Sequence, residues 1–409
     1  MTRVAFWYDR PQAYTGGLNY VRNLLHAMAQ VGAADIVPFV FFGRKVDEVV
    51  ARSFEAHATV VRTSILDRKS AAWFAHQVLY RIFGSPWLVR RVLHRHRIDV
   101  VSHAEHLHDL GPSLRMISWI PDFQYLHLPE LFPGLDAAAE TRRLRAVVAG
   151  TDAVVLSSHS AHADFVRTAL PDSLDRACVL PFVSQPDVRL VARATPATTA
   201  SLEARYDFHG PFFFLPNQFW QHKNHEAVFE AVRLLHLRSI DVLVVCTGNL
   251  RDYRLKDNGY AQRLEAFVRD HGLGSNIRIL GLIDYADVLS LMKQCIAVIN
   301  PSRFEGWSST VEEAKSIGKP LVLSDIAVHV EQDPPGGRFF APDDPAALAE
   351  ILAELWQAVA AGDPTHGVPQ EDLERDLSKR TVAFGTAYID LLKRVASASK
   401  QRRHSTTPL

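Results

Sequence analysis

The chain has 409 residues, more than one hydrophobic core usually serves, so two domains are expected, each with its own interior. Hydrophobic residues make up 47% and charged residues 22%, with 45 Lys and Arg against 45 Asp and Glu. That balance excludes a disordered chain and a global field that would recruit nucleic acid. Three cysteines far apart in sequence, Cys178, Cys246 and Cys295, exclude a disulfide scaffold and fit a reducing compartment, so a cytoplasmic location is expected.

Val4 to Asp9 reads as a strand directly after Met1-Thr2-Arg3, without the apolar stretch and small-residue cleavage site of a signal peptide. Apolar runs such as Phe39 to Phe42 and Val242 to Cys246 fall far short of the roughly 20 residues a membrane span needs. No integral membrane segment is therefore expected. The first strand leads into Thr15-Gly16-Gly17-Leu18-Asn19 and the helical pattern VRNLLHAMAQ. Paired glycines allow a close backbone approach and an exposed helix start, although a plain turn has the same composition. The pair is not GxGxxG, so no nicotinamide site is indicated. Further strands are expected at Ile36 to Phe42, Asp99 to His103, Met116 to Ile120, Ala153 to Ser157 and Cys178 to Phe182, a first doubly wound domain over residues 1–195.

Within that domain, Ala71 to Arg97 combines Trp73, Phe74, Tyr80, Phe83 and Trp87 with Arg90, Arg91, Arg95 and Arg97. An amphipathic surface touching an anionic membrane at the cytoplasmic face is one reading, and a core-packing helix with a solvated basic face the other. His94 and His96 stand among arginines and no Cys-x2-Cys occurs, which disfavours a zinc site.

Ser184 to Gly210 mixes Pro, Ala, Thr and charge without strand periodicity and is expected to link the domains. From residue 210 to 375, short apolar runs alternate with helical patterns, from Phe212–Leu215 through DVLVVCTG, NIRILG and IAVINPS to PLVLSD. That alternation specifies a parallel sheet wrapped by helices, a second Rossmann-like domain. Asp344 is positioned to cap, before Pro at the first helical position, a helix from Ala346 to about Val359. Residues 376–395 are expected to form a terminal helix that packs back on the first domain, and 396–409 a disordered tail. Two doubly wound domains facing one another leave a cleft at their strand carboxyl ends.

The stretch most able to carry chemistry is NPSRFEGWSSTVEEAKSIGKPLVLSD, Asn300 to Asp325. A strand ends, a polar loop turns, and a helix begins near Ser309 or Thr310, with capping groups in Ser308, Ser309 and Thr310. Free amides of a first helical turn favour an anion such as a diphosphate. Carboxylates at Glu305 and Glu313 flank that position and can accept hydrogen bonds from vicinal hydroxyls, which suits a nucleotide sugar. A Glu pair that merely favours the positive helix end is the plainer alternative. A second strand end, PNQFWQHKNHEAV (Pro216 to Val228), holds Lys223 in its loop, and no Asp-x-Asp metal cradle occurs.

The segment Glu305-Gly306-Trp307-Ser308-Ser309-Thr310-Val311-Glu312-Glu313 resembles the Glu-x7-Glu signature of family 4, or group 1, glycosyltransferases. The resemblance implies an α/β GT-B fold: two Rossmann-like domains facing across a cleft, an acceptor domain and then a donor domain. It implies that Glu305 and the backbone after it, Gly306 through Thr310, address the donor sugar and that Glu313 holds the ribose hydroxyls. Lys223 matches the lysine that binds the donor diphosphate, while Gln218 stands where the family has arginine. Gly16 and Gly17 match the glycine loop of the opposite domain. Asp122 matches the aspartate of a His-Asp pair, to orient or deprotonate the acceptor, with Pro121 in the histidine position; His127 and Glu331 also have counterparts.

By resemblance the activity is a retaining, metal-independent hexosyl transfer from a UDP- or GDP-sugar to a glycan or lipid-linked glycan, in polysaccharide or lipopolysaccharide biosynthesis. Asp122, Lys223 and Glu305 carry the chemistry, and the nucleotide sugar is a co-substrate with no further cofactor. A nucleotide-sugar epimerase of similar fold and a non-catalytic nucleotide-sugar-binding partner are the rival readings.

Overall fold

In the computed structural model the described residues are 1–8, 15–84, 86–103, 110, 111, 113–168, 171–186, 191, 196–252, 259–362 and 369–405. They divide into two compact units. The first comprises Met1–Phe123, Gly134–Val183 and Ser378–Leu409; the second comprises Gln124–Pro133 and Ser184–Leu377.

The first unit is built on seven parallel strands: β1 (Thr2–Trp7), β2 (Ile36–Phe42), β3 (Thr59–Arg62), β4 (Val100–Ser102), β5 (Arg115–Ile120), β6 (Ala153–Leu156) and β7 (Ala177–Val179), in the order β3-β2-β1-β4-β5-β6-β7. The second has six: β8 (Phe213–Leu215), β9 (Val244–Cys246), β10 (Ile277–Ile279), β11 (Val298–Asn300), β12 (Leu321–Ser324) and β13 (Arg338–Phe340), in the order β10-β9-β8-β11-β12-β13. All pairings are parallel. Because crossover helices cover both faces, the inner strands are buried throughout: β4, β5, β6, β8, β9, β11 and β12 have no exposed residue.

The two strands the sequence did not announce, β3 and β13, are edge strands. Their residues TVVR and RFF alternate or mix polarity because an edge is covered less completely. In each sheet the strand order reverses beside the first strand, between β1 and β4 and between β8 and β11. At such a reversal adjacent crossovers diverge to opposite faces and leave a crevice at the carboxyl ends.

Two expectations need correction. The stretch from Ser184 to Gly210 is not irregular throughout: it contains the helix Pro196–Tyr206, and Leu202 is buried with Phe208 and Phe212 in the second unit's core. The partly buried Tyr206 packs on the same core, and two such side chains are too few for a periodicity to show. Residues 187–190 and 192–195 of that stretch lie outside the described residues. The terminal helix runs from Gln370 to Ser405, past Ala396, where the tail was expected to begin. Ala, Lys, Gln and Arg sustain a helix by propensity. Residues 406–409 lie outside the described residues.

From Ser378 onward this helix belongs to the first unit. It buries Phe384, Tyr388, Ile389, Leu391, Leu392 and Val395, and the Tyr388 hydroxyl lies 2.6 Å from Ser102 Oγ at the end of β4. Gly385 lets its backbone approach the helix Thr15–Val31: a Cβ there would stand 2.4 Å from the Ala27 carbonyl oxygen. Gly385→Ala is expected to push the two helices apart and cost about 2–4 kcal/mol, read as a lower denaturation midpoint. Gly134→Ala, a left-handed position with φ of +86° and open space around it, should cost only about 1–2 kcal/mol. Equal losses would refute the close approach.

Candidate functional site

Lys223 and Glu305 arrive from the two strands that flank the reversal in the second sheet, Lys223 from the loop after β8 and Glu305 from the loop after β11. They meet as an ion pair, Nζ to Oε1 at 2.6 Å, with side chains only 15% and 9% exposed. Burial alone would push the Glu305 carboxyl up. The positive charge of Lys223, helped by His329 and His222 and by the hydrogen bond from Lys223, outweighs it and brings the pKa down to about 2. Glu305 is therefore ionised throughout the neutral range. An ammonium has three hydrogens, and no protein acceptor besides Glu305 meets Lys223 among the described residues. Two hydrogens remain for a ligand.

A polar lattice beneath the pair fixes both loops. Asn217 donates to Asn300 Oδ1 at 3.0 Å, and Asn300 donates in turn to Ser308 Oγ at 2.7 Å. The Ser302 hydroxyl lies 2.6 Å from Glu305 Oε1 and 2.8 Å from Asn300 Oδ1. Asn224, in the left-handed region with φ of 55°, donates to the carbonyls of Pro301 at 3.1 Å and Pro342 at 2.9 Å. It ties the loops after β8, β11 and β13 together. Every one of these side chains is buried, where an unmade hydrogen bond costs about 1–3 kcal/mol, so the lattice holds a single geometry.

His329 extends it: its Nδ1 lies 3.0 Å from the Ser324 carbonyl, which can only accept, so Nδ1 carries the proton. Burial lowers the His329 pKa, with the Glu305 charge opposing. Of these supporting residues only Ser308 was a candidate in the sequence; single Asn and Ser residues at strand ends carry no signal without the fold.

The helix Ser309–Ser316 starts beside the pair. Ser308 is its cap, accepting from Val311 N at 3.4 Å, while the Ser308 amide donates to Gln332 Oε1 at 3.2 Å. Thus Ser308, expected to touch a donor, spends its hydroxyl and its amide on the protein. Ser309 is exposed and Thr310 buried, its hydroxyl 3.4 Å from Asn217 Oδ1. Among the described residues the amides of Ser309 and Thr310 meet no acceptor, as is usual for the first turn of a helix. Gly306 is buried and Trp307 half-buried in the same loop.

The two consecutive glutamates divide sharply. Glu312 is 1% exposed and accepts from Gln332 Nε2 at 3.0 Å and Lys315 Nζ at 3.4 Å. Glu313 is half-buried and accepts from the Tyr285 hydroxyl at 2.8 Å. Gln218 uses its carboxamide oxygen to accept from Asn249 N at 2.9 Å, fastening the loop after β9.

Gly16, Gly17 and Asp122 lie in the first unit. Gly16 is exposed and Gly17 buried in the first turn of the helix after β1, with the Tyr8 hydroxyl 3.2 Å from the Gly17 carbonyl. Asp122 is half-buried just beyond the end of β5. His127, grouped with the second unit, lies against Phe304 with ring centroids 5.0 Å apart. Among the described residues no three His, Cys, Asp or Glu side chains converge as a metal would require.

Residues 208–358, the stretch that holds Lys223, Glu305 and Glu313, match the family model of glycosyl transferases group 1. Glycogen synthase from Mycobacterium tuberculosis is 29% identical over 137 residues, which covers 33% of this chain and 33% of that enzyme. O-antigen chain mannosyltransferase C from Escherichia coli is 28% identical over 159 residues, 33% of this chain and 43% of that relative. The match thus spans less than half the length of these curated relatives. The fold likeness extends further: the structure of HepE from Anabaena in complex with UDP and glucose aligns over 100% of both chains with a TM-score of 0.62 at 16% identity. The fold is therefore that of the two-domain GT-B glycosyltransferases, and residues 208–358 are similar to the group 1 family within it.

Proposed function

We propose that this chain transfers a hexose from a UDP- or GDP-sugar to a glycan or lipid-linked glycan, with retention of configuration and without a resident metal, in polysaccharide or lipopolysaccharide assembly. The observation that carries the reading is the buried Lys223–Glu305 pair at the strand-order reversal, beside an open helix start, inside the stretch that matches the family.

In this reading the donor diphosphate lies against the Ser309 and Thr310 amides and takes the two remaining hydrogens of the Lys223 ammonium. As the bond from the sugar to the diphosphate breaks, charge gathers on the departing phosphate oxygen, and a fixed ammonium stabilises it more than it stabilises the intact donor. Glu305 holds the ammonium in place and presents a carboxylate to the donor sugar hydroxyls. Glu313 takes the ribose hydroxyls, a role consistent with its being the less buried of the two consecutive glutamates. Gln218, by bonding the backbone of Asn249, shapes the rim of the phosphate site without adding charge. Gly16 and Gly17 give the first unit a close backbone approach, and Asp122 orients the acceptor hydroxyl or takes its proton. The proposed setting is the cytoplasmic side of a membrane; no helix among the described residues is long and apolar enough to cross one.

Calorimetric titration of UDP, GDP and ADP without added metal tests the donor site. One nucleotide is expected to bind clearly best, and Glu313→Gln to weaken it about tenfold by removing a charge-assisted hydrogen bond, with Glu371→Gln unchanged. Absence of binding by all three would sink the reading; product analysis showing an isomerised donor would replace transfer with epimerisation.

A further inference from the structure

The helix Ala71–Phe83 is capped at both ends. Ser70 Oγ accepts from Trp73 N at 3.0 Å, and Gly84 closes the carboxyl end in the left-handed region with φ of 63°. Yet it has no fully buried residue. Ala72 packs on the first unit's core, while Phe74 (52% exposed), Val78 (54%) and Ile82 (65%) stand four residues apart on the opposite side. That spacing sets them in one stripe along the outer face. Phe83 at 70% and Trp87 at 51%, the latter opening the helix Trp87–Arg95, carry the apolar surface onward. A capped helix that faces Phe74, Val78 and Ile82 outward marks an interaction surface.

Charge says which partner. From Arg68 to Arg97 the chain has seven Lys and Arg and no Asp or Glu, in a sequence whose Lys and Arg equal its Asp and Glu overall. Arg81 lies exposed beside the stripe, and the Arg91 guanidinium stands 5.5 Å over the Trp87 ring. A second copy of the same face would oppose like charges, and a nucleic-acid backbone would leave the apolar stripe in water. An anionic bilayer satisfies both, with apolar side chains at the acyl boundary and guanidinium groups among lipid phosphates. We propose that the helices Ala71–Phe83 and Trp87–Arg95 form a surface by which this chain lies on an anionic membrane, entering it with Phe74, Val78, Ile82 and Trp87. The surface would bring the first unit to where a lipid-linked acceptor resides, but the assignment stands without the transfer reading.

The test is co-sedimentation of the full chain with vesicles of phosphatidylcholine alone or mixed with phosphatidylglycerol. Binding is expected to the mixed vesicles only and to fall with added salt. Phe74→Ser combined with Ile82→Ser, and separately Arg81→Glu combined with Arg91→Glu, should each lower the partition coefficient by about tenfold or more. All four positions are exposed, so unchanged thermal unfolding of the variants shows that the fold persists. No binding to mixed vesicles, or binding that both double variants retain, would overturn the proposal. Concentration-dependent dimers abolished by Phe74→Ser with Ile82→Ser would give the face to a second copy instead. The assay reads binding and not turnover, so its failure leaves the catalytic reading untouched.

Discussion

Lys223→Ala is expected to lower kcat about a hundred- to a thousandfold, the cost of removing one fixed donor from a developing oxyanion. It should also lower stability at neutral pH by about 3–5 kcal/mol, because it leaves the Glu305 carboxylate buried without its counter-charge. The two losses separate by pH. In the wild type the Glu305 pKa lies at about 2, below its ordinary 4.5. Its contribution, about 3 kcal/mol, is present above pH 4.5 and disappears as the pH falls from there towards 2. Without Lys223, burial dominates and the carboxyl pKa rises above 4.5. The protonated form is then the stable one, and the variant loses stability as the pH rises through the new value.

Denaturant unfolding from pH 4 to 8 should therefore show a variant that weakens, relative to wild type, as the solution becomes more basic. Adding Glu305→Gln to Lys223→Ala should flatten that relative slope and recover much of the stability without recovering turnover. Parallel pH profiles for the wild type and the single variant would refute the pair as the source of the depressed pKa.

Gly248→Ala should be nearly as damaging although residue 248 bears no functional group. Gly248 ends the strand-like run after β9 with φ of +149°, and a Cβ there would lie 2.2 Å from the Asn217 carbonyl oxygen and 2.9 Å from the Gln218 Cα. Neither obstacle is a movable side chain, so the loop after β8 must shift, and with it Asn217, the donor to Asn300. A loss of about 2–4 kcal/mol is expected, with kcat/KM down at least about tenfold because Lys223 sits farther along the displaced loop. Gly272→Ala is the control: φ there is +68° with nothing near the added carbon, so backbone strain alone should cost about 1–2 kcal/mol and leave turnover intact. If the two variants behave alike, the close approach at Gly248 carries no weight in the site.

The parallel sheets were legible because β-branched and aromatic runs such as VAFWY, DVLVVC and PLVLS are buried on both faces and leave an uninterrupted apolar signature. The edge strands Thr59–Arg62 and Arg338–Phe340 lack that signature because partial exposure admits Thr and Arg. The charged members of the candidate site could be picked out since Lys223, Glu305 and Glu313 stand at strand ends or helix starts with motif spacing. The uncharged lattice could not. Asn217, Asn224, Asn300 and His329 acquire meaning only when four loops far apart in sequence converge. That Glu312 is the buried member of the pair likewise emerged only from the helix orientation, since adjacent residues on a helix point about 100° apart and Glu312 is the one that reaches Gln332.

The first unit draws part of its interior from the far end of the chain: Phe384, Tyr388, Ile389, Leu391, Leu392 and Val395 are all buried there. Translation delivers these residues after the whole of the second unit. The nascent amino-terminal half thus leaves the ribosome with an uncovered apolar face and waits through the synthesis of roughly two hundred further residues, while the second unit, contiguous but for Gln124–Pro133, can close first. The usual amino-to-carboxyl order of domain maturation is expected to reverse, and a fragment ending at Val183 is expected to be aggregation-prone rather than an autonomous domain. Dissecting this protein requires a circular permutant that places Ser378–Ser405 ahead of Met1, not a simple truncation.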